Sequence, residues 1–317
     1  MQNAKDIIQV VPSSGEASLA STEEVSARYA GFDTWKSDAA LDALWQGQAT
    51  AVNAVRPAIP ALAKAAEDVA ARLASGAGRL VYTGAGSSGL LAMQDGMEMT
   101  QTFSWPAERL VFLMAGGDAA RLQQIGLEED DAAAAVVDAS RVAFTSEDVV
   151  IAVAASGSTP YTLAIVQEAQ SAGALTIAIT NNEQTPLAAA ADHEIMLASG
   201  PEVIAGSTRL GAGTAQKAAL GMLSTLVMTR LGNVVDGYMV SVVADNKKLV
   251  ERAIRMVGDI AGVAENVARD ALDTCDGQVK NAVLVARGMS AEEAVNALEG
   301  AGGNLRTVLN LRPKEKS

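Results

Sequence analysis

Arg79-Leu80-Val81-Tyr82-Thr83-Gly84-Ala85-Gly86-Ser87-Ser88-Gly89 is a short apolar run that ends in a glycine and serine loop and opens onto a helical stretch. Strand, Gly-rich turn and helix in that order predict the opening unit of a parallel α/β sheet. The order recurs downstream. Arg109 to Met114 is a second predicted strand, followed by Ala115-Gly116-Gly117 and a helix. Val149 to Ala154 is a third, followed by Ser156-Gly157-Ser158-Thr159-Pro160 and a helix through Ala169. Leu175 to Ile179 and Glu194 to Leu197 complete five. Strands joined by helical crossovers predict a doubly wound five-stranded parallel sheet covered on both faces. Ligands of such sheets bind beyond the carboxyl ends of the strands, where both Ser-rich loops fall.

Three readings compete for the first loop. Gly84, Gly86 and Gly89 fit a dinucleotide-binding pattern. That site wants an acidic residue ending the next strand, which instead ends Met114-Ala115-Gly116-Gly117 before Asp118. A tight structural turn is the second reading. The third is phosphate capture, in which backbone N–H groups at a helix N-terminus and Ser hydroxyls solvate a phosphate with little formal charge. It alone uses Gly86, Ser87 and Ser88 together with Ser156, Ser158 and Thr159. No Lys follows the loop, so it is not a Walker motif.

The rest of the chain sets limits. Nearly half of the 317 residues are hydrophobic and only 3% are aromatic, so Ala, Val, Leu, Ile and Met must fill the core. A net charge of −13 speaks against a nucleic-acid partner. Cys275 stands alone, which fits a reducing, cytoplasmic compartment, and lone His193 leaves no cluster of His and Cys ligands for a metal. No spacing calls for a metal or other cofactor. Met1 to Gly15 lacks the pattern of a secretory signal, and no apolar run is long enough to span a membrane.

Residues 1–38 read as an irregular arm and 39–243 as the sheet-bearing domain. Ala39 to Ala74 is helical, broken by Pro57 and Pro60, and Gly213 to Leu231 is a long apolar helix. Residues 244–317 read as an all-helical appendage with a repeat of period 26: Ala268 to Gly277 echoes Ala294 to Gly303. His193 is placed at a surface or edge position, and Cys275 is a buried small residue.

Longer runs carry a resemblance. The first loop with Asp95, Glu98 and Thr102-Phe103 is similar to the signature of the N-acetylmuramic acid 6-phosphate etherases, a family on the sugar isomerase (SIS) fold. Glu128-Glu129-Asp130, Thr159-Pro160-Tyr161, Gly200 through Leu210 and Ala212 through Lys217 also resemble it. The likeness covers about residues 50 to 310. It implies elimination of the C3 lactyl ether of an open-chain phosphosugar, followed by water addition. Glu98 would be the general acid and Glu129 the general base. Glu202, Ser207, Thr208 and Lys217 join the substrate-binding set. The chemistry needs one carboxyl kept protonated and one ionised. Met93, Met97, Met99 and Phe103 surround Glu98 in sequence and predict its burial; Glu128, Asp130 and Asp131 predict a raised pKa at Glu129. The resemblance also implies a homodimer with its crevice near the interface, built on helices such as Leu41 to Val55 and Ala215 to Leu231.

The chain departs from the family at Leu90 and Ser158, where the family usually carries Arg, and at Gly211, where it carries Lys. It also has Met99-Thr100-Gln101 in place of Cys-Pro-Pro and Leu19-Ala20 in place of Ile-Asp. Fewer cations for a substrate with phosphate and carboxylate keep two alternatives open: an aldose–ketose sugar-phosphate isomerase, and a non-catalytic phosphosugar sensor like the glucokinase regulatory protein.

Overall fold

The structure, a computed structural model, describes residues 20–117, 126–242 and 247–311. The expectation for residues 1–19 and 312–317 lies outside them. Three 3-10 turns cover 21–34, so the described part of the arm is locally ordered. Helices α1 (Ser37–Asn53) and α2 (Ile59–Leu73) follow, parted by a 3-10 turn at Arg56–Ala58. Pro57 and Pro60 are the second residues of the turn and of α2, within the first turn, where the N–H has no intrahelical partner to lose.

Strand β1 (Leu80–Gly84) leads to α3 (Gly86–Phe103), then β2 (Leu110–Met114), α4 (Ala132–Val142) and β3 (Val149–Ala154). Helix α5 (Pro160–Ser171), β4 (Leu175–Thr180), α6 (Pro186–Ala190) and β5 (His193–Met196) complete the sheet. All pairings are parallel, in the order β2-β1-β3-β4-β5. The chain moves outward from β1 to β2, then crosses back to lay β3 on the other side of β1. That reversal leaves a crevice between the loops after β1 and β3.

Alternation along the strands divides the core. Leu80, Tyr82, Val149, Ile151, Ile177 and Ile179 pack with α1, α2, α3 and α7 (Gly211–Arg230). Val81, Leu113 and Val150 face α4 and α5 on the opposite side. A strand neighbour that swapped faces would meet the wrong layer, so the period of two fixes the register.

Beyond α7 a hairpin pairs β6 (Val234–Val235) with β7 (Tyr238–Met239). It was not predicted, although Asp236-Gly237 is a two-residue turn signal; both residues take positive φ, 49° and 79°. The tail is helical: α8 (Lys247–Ala261), α9 (Glu265–Thr274), α10 (Val279–Ala286), α11 (Ala291–Gly300) and α12 (Leu305–Leu311). Its hydrophobic cluster is separate from the sheet's. The sequence repeat is visible as packing: Ala268 and Ala294 are buried at equivalent turns of α9 and α11, as are Leu272 and Leu298. His193 sits on the edge strand but is buried, with Nε2 3.0 Å from Asp68 Oδ2. Cys275 is buried among tail residues.

Among the described residues no helix is long and apolar enough to cross a membrane.

Candidate functional site

The crevice at the strand reversal is a cavity of about 410 Å³. Gly86, Ser87, Ser88, Ser156, Ser158 and Thr159 all line it, joined by Thr208, Glu129 and two residues that sequence reasoning left out, Glu23 and Asp130. The two helices that start here, α3 and α5, have no side-chain cap at Ala85 or Thr159. Other helices at this sheet do carry one: Asp131 accepts from the Ala134 N–H at the start of α4 and Thr185 from the Ala188 N–H at the start of α6, although α1 and α2 do not. Two open N-termini facing one cavity leave N–H groups for an external anion, with the positive ends of both dipoles behind them.

Backbone shape holds the loops in place. Gly84 and Gly89 bring β1 against α3 so closely that a Cβ on Gly84 would stand 2.8 Å from the Gly89 Cα. Gly157 has a φ of +66°, and a side chain there would run into Thr185 at 2.4 Å. Both contacts exclude Ala.

The 3-10 turn Glu128–Asp130 brings the acidic segment to the crevice wall, and Asp131 alone serves as the cap of α4. Glu129 is exposed at the lip. What burial it has, followed by the neighbouring Asp130 charge, holds its carboxyl above the ordinary range. The expected direction is met, with desolvation as the larger cause. No Lys or Arg lines this cavity among the described residues. No group of three or more His, Cys, Asp or Glu that could hold a metal occurs among them either.

Glu98 stands elsewhere. It lies twelve residues along α3 from Gly86, about 18 Å at 1.5 Å per residue. It is exposed, contrary to the expected burial. Its sequence neighbours Met93, Met99 and Phe103 turn toward the core, whereas Glu98 shares the outer stripe of Leu90, Gln94 and Met97. Nearness in sequence is not nearness on a helix. Asp95, one turn earlier, is half-buried; it accepts hydrogen bonds from Tyr82 Oη (2.9 Å) and Ser224 Oγ (3.1 Å). Burial raises its pKa, with the Glu98 charge adding to the rise while Lys217 opposes it. Asp95, Glu98 and Lys217 thus form a second polar group, between α3 and α7. Within one chain the two predicted glutamates do not meet.

Glu202 is also outside the crevice. Its buried carboxylate accepts from the Gly211 N–H and the Ala212 N–H, both at 2.8 Å, so it caps α7 from within. Ser207 is half-buried in the loop between Gly206 and Thr208 and does not line the cavity. The Gly211 departure has a steric side: a Cβ there would sit 3.0 Å from Glu202 Oε2.

With this geometry in place, relatives are informative. An N-acetylmuramic acid 6-phosphate etherase of Deinococcus radiodurans is 48% identical over 91% of this chain and 94% of its own length. The chain belongs to the N-acetylmuramic acid 6-phosphate etherase family. A Streptomyces avermitilis etherase is 43% identical over 84% of this chain and 86% of its own. The SIS domain model matches residues 131–226, and the model of the glucokinase regulatory protein N-terminal SIS domain matches 61–170. A solved phosphosugar isomerase homologue from Bacteroides fragilis shares 24% identity, covering 64% of this chain and 95% of its own, with a TM-score of 0.49.

Proposed function

We propose that this etherase-family chain cleaves the C3 lactyl ether of N-acetylmuramic acid 6-phosphate, giving N-acetylglucosamine 6-phosphate and D-lactate. The observation that carries the reading is the crevice itself: hydroxyls and two open helix N-termini around a cavity with Glu129 on its wall. The phosphate is held by the Ser87-Ser88 and Ser156 to Thr159 loops. The open-chain aldehyde acidifies the C2 proton, which Glu129 removes. The electron pair forms the C2–C3 double bond as the C3–O bond breaks, and Glu98 protonates the departing lactate oxygen. Water then adds at C3, and C2 regains a proton.

This scheme needs Glu98 from a second copy. Leu41, Trp45 and Val52 on α1, Leu90 and Met97 on α3, and Met222 on α7 are all exposed apolar side chains, and α7 packs against both other helices. Pairing two such faces about a two-fold axis covers them and carries Glu98 and Lys217 of one copy to the crevice of the other. A cation from the partner would also answer the lack of Lys and Arg among the described residues of the cavity wall. The homodimer acts on a small phosphosugar in the cytoplasm. Its sheet-bearing domain spans residues 39–243, its helical domain 244–317 and its arm 1–38.

Incubation with N-acetylmuramic acid 6-phosphate should release D-lactate and N-acetylglucosamine 6-phosphate in equal amounts. No lactate from folded protein at high enzyme concentration overturns the reading. The match to the glucokinase regulatory protein model favours a second one, phosphosugar sensing without turnover. Thermal stabilisation by the phosphosugar without lactate selects it.

A further inference from the structure

We propose that Glu23 binds the hydroxyl-bearing chain of the sugar in the crevice, so that the N-terminal arm forms one wall of the substrate site; the assignment rests on the phosphosugar reading above. Glu23 lines the same cavity as the serine loops and Glu129. Its backbone is fixed by a latch that spans the sequence. The Ser21 N–H and Oγ donate to Asn182 Oδ1 at 2.8 and 2.9 Å. Asn182 Nδ2 donates to Thr22 Oγ1 at 3.2 Å and to the Ala155 carbonyl at 2.8 Å. The Gly206 N–H donates to the Thr22 carbonyl at 3.0 Å. Thr22 and Asn182 are both buried, so the latch is sheltered from water. It ties the arm to two other crevice walls, the loop after β3 and the loop at Gly206.

The carboxylate that the latch delivers has no partner among the described residues. It takes no hydrogen bond or ion pair from the described residues, and it serves no helix as a cap. An unpaired anion beside a phosphate site repels the phosphate, so it does not serve phosphate binding. A carboxylate offers only acceptors, and the donors a phosphosugar presents are its hydroxyl and amide hydrogens. The fold keeps room for it: Gly206 has no side chain, and a Cβ there would stand 2.8 Å from Glu23 Oε2. Phosphate is drawn to the helix N-termini and the polyol to Glu23, which orients the sugar as well as holding it.

Calorimetric titration of wild type, Glu23→Ala and Glu23→Gln with N-acetylglucosamine 6-phosphate and with inorganic phosphate tests this. Glu23→Ala should weaken the hexosamine phosphate by about 10- to 100-fold, the weight of a charged hydrogen bond, and leave inorganic phosphate as tight or tighter. Glu23→Gln keeps an acceptor oxygen and should lose less. Asn182→Ala, which frees the latch, should reproduce the Ala variant's selectivity loss while far-UV circular dichroism stays that of wild type. Equal hexosamine phosphate affinity in wild type and Glu23→Ala overturns the proposal, as does an equal loss for both ligands. Wild type that binds no hexosamine phosphate removes the phosphosugar reading itself, a different outcome from an inert Glu23.

Discussion

Mixing two inactive variants tests the shared site most sharply. Glu98→Gln and Glu129→Gln should each lower lactate release by about 10²–10⁴-fold, the usual weight of a general acid or base. Glu98 stands about 18 Å along α3 from the phosphate loop, while proton transfer needs about 3 Å. Within one chain, α3 thus holds Glu98 away from the phosphate loop, and the shared-site proposal supplies it from a second copy. In a hybrid dimer one crevice combines the intact Glu129 of the first variant with the intact Glu98 of the second. The other crevice carries both substitutions. Random reassortment makes about half of the dimers hybrid, each with one good site of two, so about a quarter of wild-type activity should return. Hybrids isolated by two different affinity tags should reach about half. The assay is D-lactate release before and after the two proteins are co-refolded. Purified hybrid no more active than its parents refutes the argument, and so does sedimentation as a monomer at assay concentrations.

The fold itself supplies other tests. Asp148→Asn should cost about 2–4 kcal/mol in urea denaturation, because Asp148 is 1% exposed and receives Arg79 and two backbone N–H groups; Arg79 keeps part of its surface in water, which holds the loss below the upper limit for buried pairs. Burial pulls Lys280 down to about 8 from an ordinary 10.5, so between those values the unfolded chain binds the proton and the folded chain does not. Its contribution to stability therefore rises with pH across that window, and Lys280→Met should flatten the rise in urea midpoints. An unaltered slope counts against it. Gly157→Ala should abolish phosphosugar-induced thermal stabilisation, since Thr185 blocks the new methyl group; retained stabilisation would show that the loop can re-form around it.

The sheet was legible because its signals are local: five apolar runs, four of them followed by a Gly or Ser turn and the fourth in order by Asn181-Asn182, gave strands within a residue or two of those observed. Both serine loops could be assigned to one crevice because parallel topology sends every strand's carboxyl end the same way. What failed depended on rotation or on distance. The apolar neighbours of Glu98 suggested burial, but 100° per residue separates its face from that of Met99. Glu202 read as a ligand group because no local pattern reveals that its carboxylate turns back onto α7. Glu23 was missed since its place in the crevice depends on Asn182, about 160 residues away. The hairpin had a sufficient signal in Asp236-Gly237 that went unused.

The internal cap on α7 has a bearing on selectivity. Three long helices begin near this end of the sheet, and each start is a potential berth for a doubly charged oxyanion. Glu202 already occupies one of them, with a negative charge that cannot diffuse away. A visiting phosphoryl group is thereby confined to the remaining two berths and repelled from the third. A resident anion thus removes one wrong docking pose before any substrate arrives.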